Sequence, residues 1–194
     1  AFQNCSDLVS VTIPNSVTSI EEYAFDGCSG LTSVVIPNSV TNIGHFAFRN
    51  CSVMALVTIS SNVKSIGDGV FRGCSGLTSV TIPDSVTYIG YGAFDGCSGL
   101  VSLKISNSVT SIGTYAFSGC AGLTSVTIGN SVASIGDYAF AYCSELTDVY
   151  CYAEKVPSTD SKAFYGSDVE YATLHVPAVS IEDTIIIHMI LHSK

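Results

Sequence analysis

The chain is short of cations. Seven Lys and Arg stand against 16 Asp and Glu in 194 residues, a net charge of -9. The clustered basic side chains that displace counterions from a phosphate backbone are therefore missing, and nucleic acid is excluded as a partner. The same deficit excludes docking on an anionic membrane surface. Tryptophan is absent, histidine occurs four times, and charged residues make up only 12%. No apolar run reaches the roughly 18 residues of a spanning helix, so membrane insertion is not expected. The opening Ala1-Phe2-Gln3-Asn4 lacks the charged-then-apolar order of a targeting segment. With 47% apolar residues, the composition is that of a folded protein rather than a disordered tail.

What the sequence has is a period. Cys5, Cys28, Cys51, Cys74, Cys97, Cys120 and Cys143 follow at steps of 23, and so do Phe2, Phe25, Phe48, Phe71, Phe94, Phe117 and Phe140; a fixed step of this length marks a stacked repeat. One period, Leu77 to Gly99, reads L-x-x-V-x-I-P-x-S-V-x-x-I-G-x-x-A-F-x-x-C-x-x, which has the form of a leucine-rich repeat. Val80 and Ile82 alternate with Ser79 and Thr81, the two-residue period of a strand with one buried face. Pro83 ends that strand because it has no N–H to give. Val86 to Ile89 offers a second short extended stretch. The glycine at 90, with its equivalents Gly44, Gly67, Gly113 and Gly136, permits a sharp turn before Ala93-Phe94 returns inward.

The expected fold is a repeat solenoid, a leucine-rich-repeat superhelix of stacked 23-residue coils, mostly short parallel strands with tight turns and little or no α-helix. Full coils begin at Leu8, Leu31, Met54, Leu77, Leu100, Leu123 and Leu146. Residues 1–7 read as the remnant of a preceding repeat, 8–150 as the solenoid, 151–178 as an atypical C-terminal capping repeat and 179–194 as a non-repeat apolar tail. Opening mid-repeat, the chain is expected to derive from a longer protein.

The unit running from Leu31 through Ile36-Pro37 and Ile43-Gly44 to Ala47-Phe48 and Cys51-Ser52 closely resembles the BspA-like leucine-rich repeats of bacterial and protist surface proteins. The segment Leu146 to Pro177, with Tyr150-Cys151-Tyr152-Ala153 and Val156-Pro157, is similar to the closing unit of that family. The resemblance implies an extracellular or cell-surface location, and adhesion or host-protein binding through an extended surface.

Two outward rows are expected on the strands: Ser10, Ser33, Leu56, Ser79, Ser102, Ser125, Asp148, and Thr12, Val35, Thr58, Thr81, Lys104, Thr127, Tyr150. The candidate binding residues are Ser33, Thr58, Ser79, Thr81, Ser102, Lys104, Ser125, Thr127 and Tyr150; the alternative is that Ser and Thr merely suit an exposed pleat. Threonine rows also occur on ice-binding solenoids, but Val35, Leu56 and Lys104 break these. An aromatic column, Tyr23, Phe46, Tyr115 and Tyr138, with Tyr88, Tyr91 and Tyr142 nearby, offers rings to a sugar or a partner side chain, or else packs over the neighbouring coil corner. Asp26, Arg49, Arg72 and Asp95 share a column in which each Arg can meet an Asp; exposed pairs of this kind are weak.

One cysteine per coil gives a file of parallel side chains, read as reduced buried thiols. A disulfide involving Cys151 and a metal are the alternatives, although close cysteine pairs are missing and parallel Cβ vectors suit a disulfide poorly. Catalysis lacks parts. His45, with Glu22 and Asp68 on adjacent coils, reads as a solvated row, and His188 and His192 lack the glutamate of a helical zinc motif. No catalytic residue, metal or cofactor is assigned. The expected function is a non-enzymatic binding scaffold with a protein or glycan partner outside the cell; the alternative is a repeat module of an exported enzyme or glycan-utilisation accessory protein. The apolar run Ile185 to Leu191, together with the chain's open start, raises self-association through the ends.

The inside and outside assignment is testable. Ile82→Asp or Phe94→Asp is expected to cost about 3 kcal/mol or more, because each buries an unpaired charge, whereas Thr81→Asp is expected to stay within about 0.5 kcal/mol. Equal losses in thermal melts would show the faces reversed.

Overall fold

The structure, a computed structural model, describes residues 2–159, 162–167, 169 and 173–175. The chain winds as a parallel β-solenoid, and no α-helix occurs among the described residues. One side is a seven-stranded sheet of β2 (Ser33–Val35), β4 (Leu56–Thr58), β6 (Ser79–Thr81), β8 (Ser102–Lys104), β10 (Ser125–Ile128), β12 (Asp148–Cys151) and β14 (Thr173–His175), one strand per coil. A second side carries β5 (Ser65–Ile66), β7 (Tyr88–Ile89), β9 (Ser111–Ile112), β11 (Ser134–Ile135) and β13 (Ser158–Thr159), with β1 (Ser19–Ile20) and β3 (Asn42–Ile43) as a separate pair. All pairings are parallel; from β1 to β12 they keep the 23-residue step, for example Ser79 with Ser102 and Ser102 with Ser125, and the last two lengthen to 24 (Ser134 with Ser158) and 25 (Asp148 with Thr173). The third side consists of turns, and these are also bonded from coil to coil, as in Phe94 N–H to Ala116 O at 2.7 Å.

The core is a set of columns. Val80, Ile82, Ile89, Ala93, Phe94, Cys97 and Leu100 of one coil are all buried, and so are their equivalents in the next. From Phe2 to Phe164 the phenylalanine rings stack at centroid spacings of 5.1 to 5.7 Å, inside the range for attractive offset stacking. The column opens to solvent near residue 2: Phe2 is half exposed, and Val11, Ile13 and Val17 line an apolar recess of about 400 Å³.

The turn glycines act differently from the sequence expectation. Gly44, Gly90, Gly113 and Gly136 do not sit in left-handed backbone. They are needed because the coils touch there: a Cβ on Gly113 would lie 2.7 Å from the carbonyl carbon of Gly90. Left-handed backbone falls two residues later, at Tyr23, Phe46, Gly69, Gly92, Tyr115 and Tyr138, with φ between 55° and 59°.

The cysteines have a role beyond filling space. From Phe2 to Phe117 each phenylalanine carbonyl of the column accepts the N–H of the cysteine three residues on, as in Cys74 N to Phe71 O at 3.1 Å, whereas Phe140 O accepts the Ser167 hydroxyl, which in turn accepts Cys143 N–H. The carbonyls from Phe2 to Phe117 also accept the thiol of the next coil's cysteine, with Cys97 Sγ to Phe71 O at 3.2 Å and Cys74 Sγ to Phe48 O at 3.1 Å. A thiol is small and apolar enough for the column, yet gives a weak donor to the carbonyl's second lone pair. All eight cysteines are free. Burial pushes Cys97 and Cys143 up to about 12 and raises Cys74 and Cys120 as well.

These thiols ionise in the unfolded chain near pH 8.5 but stay protonated in the fold. Their contribution is therefore intact below that value and is lost as pH rises toward about 12. Denaturant titrations should show stability falling by about 1.4 kcal/mol per pH unit for each such thiol. Cys97→Ala should remove one proton's worth of that slope; an unchanged slope would overturn the account.

Candidate functional site

The outward residues of the seven-stranded sheet form straight rows because the register never slips. Ser33, Leu56, Ser79, Ser102, Ser125 and Asp148 are successive partners, as are Thr81, Lys104, Thr127, Tyr150 and His175. Ser33, Val35, Leu56, Thr58, Ser79, Thr81, Ser102 and Lys104 are exposed, while Ser125, Thr127 and Tyr150 are only half exposed. Tyr150 is partly covered by His175, whose ring stacks on it at 4.1 Å and hydrogen-bonds Asp148 Oδ1 at 3.1 Å. That contact, with Thr147, holds the Asp148 carboxyl below its usual range. Beside the rows, where strands turn into the second side, a cavity of about 700 Å³ is bordered by Thr81, Asp84, Ser85, Lys104, Ser106 and Asn107. Lys104 is the sole cation in the two rows.

The aromatic column is two stacks rather than one stripe. Tyr23 lies on Phe46 at 5.3 Å and Tyr115 on Tyr138 at 5.0 Å. Gly69 and Gly92 separate the stacks, and the Phe46 ring leans over Gly69, filling the space a side chain there would need. The Arg49 guanidinium lies 5.2 Å from the Phe46 ring centre and 5.3 Å from that of Tyr23. All four rings are half buried. Tyr88, Tyr91, Tyr142 and Tyr165 stand farther out, each more than 40% exposed. Tyr91 meets Tyr115 edge-on at 5.7 Å.

Such a columnar repeat with one cysteine and one phenylalanine per coil has relatives. The family described as the BspA type leucine rich repeat region matches in six copies over residues 1–90 and 69–188. The chain belongs to this family. Among solved structures it is similar to the leucine-rich repeat protein of T. pallidum, at 31% identity and TM-score 0.74 over 78% of this chain and 73% of that one. A leucine rich cell surface protein of Faecalibacterium prausnitzii is 40% identical with TM-score 0.58, over 61% of this chain but only 31% of its own length. A leucine-rich repeat protein of Bacteroides ovatus is 25% identical with TM-score 0.51, over 89% of this chain and 64% of that one. No curated protein matches. The matched family is one of repeat scaffolds rather than a catalytic family.

Several polar residues act on the fold, and sequence reading assigned them no such part. Thr32, Thr78, Thr124 and Thr147 give their hydroxyls to the carbonyl 23 residues earlier, and so do Thr41, Thr87 and Thr110 in a second column. In the row Glu22-His45-Asp68, the last two act on the fold through their side chains. His45 Nδ1 accepts Asp68 N–H at 3.0 Å, which requires that nitrogen to be unprotonated, and Asp68 Oδ1 accepts Tyr91 N–H at 2.9 Å. The 3.7 Å approach of the His45 and Asp68 side chains, both well exposed, adds little. The tail residues Ile185 to Leu191, His188 and His192 lie outside the described residues.

The Asp26 column needs a correction. Sequence reading treats its pairs as exposed, yet Asp26 is 3% exposed. Arg49 donates from Nε and Nη2 to its two oxygens at 2.8 Å each, and Gln3 Nε2 donates at 3.2 Å. Arg49 outweighs burial, and the Asp26 carboxyl is held below its usual range. Asp95, with one Arg72 contact at 3.1 Å, is instead raised because burial dominates. Asp26→Asn should cost about 2 kcal/mol near neutral pH by leaving Arg49 without its counter-charge. The wild-type advantage is present above the ordinary carboxylate value near 4 and disappears as pH falls through the depressed native value. Urea denaturation of both proteins across that range would test it; a constant gap between them would sink the assignment.

Proposed function

We propose that the chain is a non-enzymatic binding scaffold of the cell surface or extracellular space, taking a protein ligand on the outward face of the seven-stranded sheet. The observation that carries this reading is the pair of exposed, in-register rows running from Ser33 and Val35 to Ser102 and Lys104. At about 4.8 Å per strand, seven strands span on the order of 30 Å, a scale suited to a standard protein interface. Short hydroxyls there are cheap to desolvate compared with charges. Lys104, beside the cavity formed with Thr81 and Asn107, supplies one point for a partner carboxylate. Family membership and likeness to a protein described as a cell surface protein support the location.

Binding to immobilised extracellular-matrix and serum proteins, followed by surface plasmon resonance, tests this. At least one should bind the full chain, and Thr58→Arg, Thr81→Arg and Lys104→Glu combined should weaken it about tenfold or more without lowering the melting temperature. Binding that survives these changes would move the site elsewhere, and no binding across the panel would overturn the protein-ligand reading.

A further inference from the structure

The second side of the solenoid carries a feature that the repeat does not require. In the column Ser19, Asn42, Ser65, Tyr88, Ser111, Ser134 every residue but one is small and polar. Three positions on, in the column Glu22, His45, Asp68, Tyr91, Thr114, Asp137, one tyrosine again stands alone. Both exceptions fall in the same coil. Tyr88 and Tyr91 are 41% and 44% exposed, so neither serves to fill the core.

Their register gives them a shared consequence. Tyr88 pairs with Ser111, Ser111 with Ser134 and Ser134 with Ser158. The surface therefore drops from a phenol ring to three successive hydroxymethyl groups. The result is an open trough of about 550 Å³ across these coils, with the two tyrosines as its end wall and the serines along its floor. That volume is within the range of ligand sites, which combine aromatic walls with a few convergent polar groups. The Tyr91 ring is held in place by its edge contact with Tyr115. Ser134 Oγ donates to Ser111 Oγ at 2.8 Å, which orients the floor hydroxyls.

Among the described residues, none with a charged side chain lines the trough, although the chain carries 23 charged residues in all, seven basic and 16 acidic. An ionic ligand would find no counter-charge among these lining residues. A ligand with a flat C–H face for the rings and hydroxyls for the serines fits both walls. We propose that the trough binds a neutral glycan chain, one sugar ring resting against Tyr88 and Tyr91 and the following sugars lying over Ser111, Ser134 and Ser158. The site faces away from the sheet to which a protein ligand is assigned, and it stands or falls independently of that assignment.

Affinity electrophoresis of the full chain through gels containing neutral polysaccharides (a β-glucan, a xylan, a mannan or a galactan), with polygalacturonate as the anionic comparison, tests it. At least one neutral polymer should retard the wild type. Tyr88→Ala with Tyr91→Ala should weaken the retardation about tenfold or more at unchanged melting temperature, and Tyr88→Phe with Tyr91→Phe should restore most of it, because the aromatic faces remain. The proposal is overturned if no neutral polymer retards the protein, if only polygalacturonate does, or if the alanine variant, still folded, migrates like the wild type. Loss of matrix-protein binding in the alanine variant, without any polysaccharide retardation, would equally overturn it and assign the trough to a protein.

Discussion

The structure depends on coils meeting in strict register. A single coil has too few residues to enclose anything, so Phe94 is covered only because Phe71 and Phe117 lie against its two faces. The same step supplies the backbone bonds of both strand sides and of the turns, and the hydroxyl and thiol bonds that close the remaining carbonyls. A residue inserted within a strand would shift its pairing and turn the strand's buried face outward. That coupling is why the 23-residue step runs without interruption from Cys5 to Cys143.

Register also explains how unfavourable backbone is tolerated. Tyr23, Phe46, Tyr115 and Tyr138 adopt left-handed φ values, a conformation that costs a residue with a side chain about 1–2 kcal/mol. Each of these rings stacks on a neighbour in the same column, and such a contact returns about 0.5–1.5 kcal/mol beyond the area it buries. Gly69 and Gly92 take the other solution, free of strain and without a ring. The column contains both, a ring pair on either side of two glycines. It is neither a continuous aromatic ladder nor a uniform glycine turn.

Much of this was legible in the sequence, and the parts that were not share a cause. The inward places of Val80, Ile82 and Phe94 follow from periodicity, because burial obeys the same period as the chain. The purpose of Gly90 and its equivalents does not follow, since a sequence shows which residue is small and not what lies 2.7 Å away. Asp26 and Arg49 were recognisable as partners, but not as a bidentate pair on a buried carboxylate, because depth varies around the column: Asp26 is buried and Asp95 only partly so. Thr78 and Thr81 are chemically alike, yet one bonds the previous coil while the other faces outward from the sheet. Only the path of the backbone distinguishes them.

In a fold held by repetition, a residue that recurs in its column is accounted for by stacking, whatever else it does. Cys97, Phe94 and Gly113 carry no information about a ligand for this reason, although they are the most conspicuous features of the sequence. Information about binding lies where a coil departs from its neighbours at an exposed position and the departure adds nothing to the column. Lys104 in a row of hydroxyls and Tyr88 with Tyr91 above a serine floor meet both conditions. Arg49 meets neither, because Arg72 repeats it in the next coil and its half-buried guanidinium is already engaged by Asp26, Tyr23 and Phe46. Such a scaffold can change its ligand by exchanging a few outward side chains while every buried column, and so the stability of the whole, stays as it is.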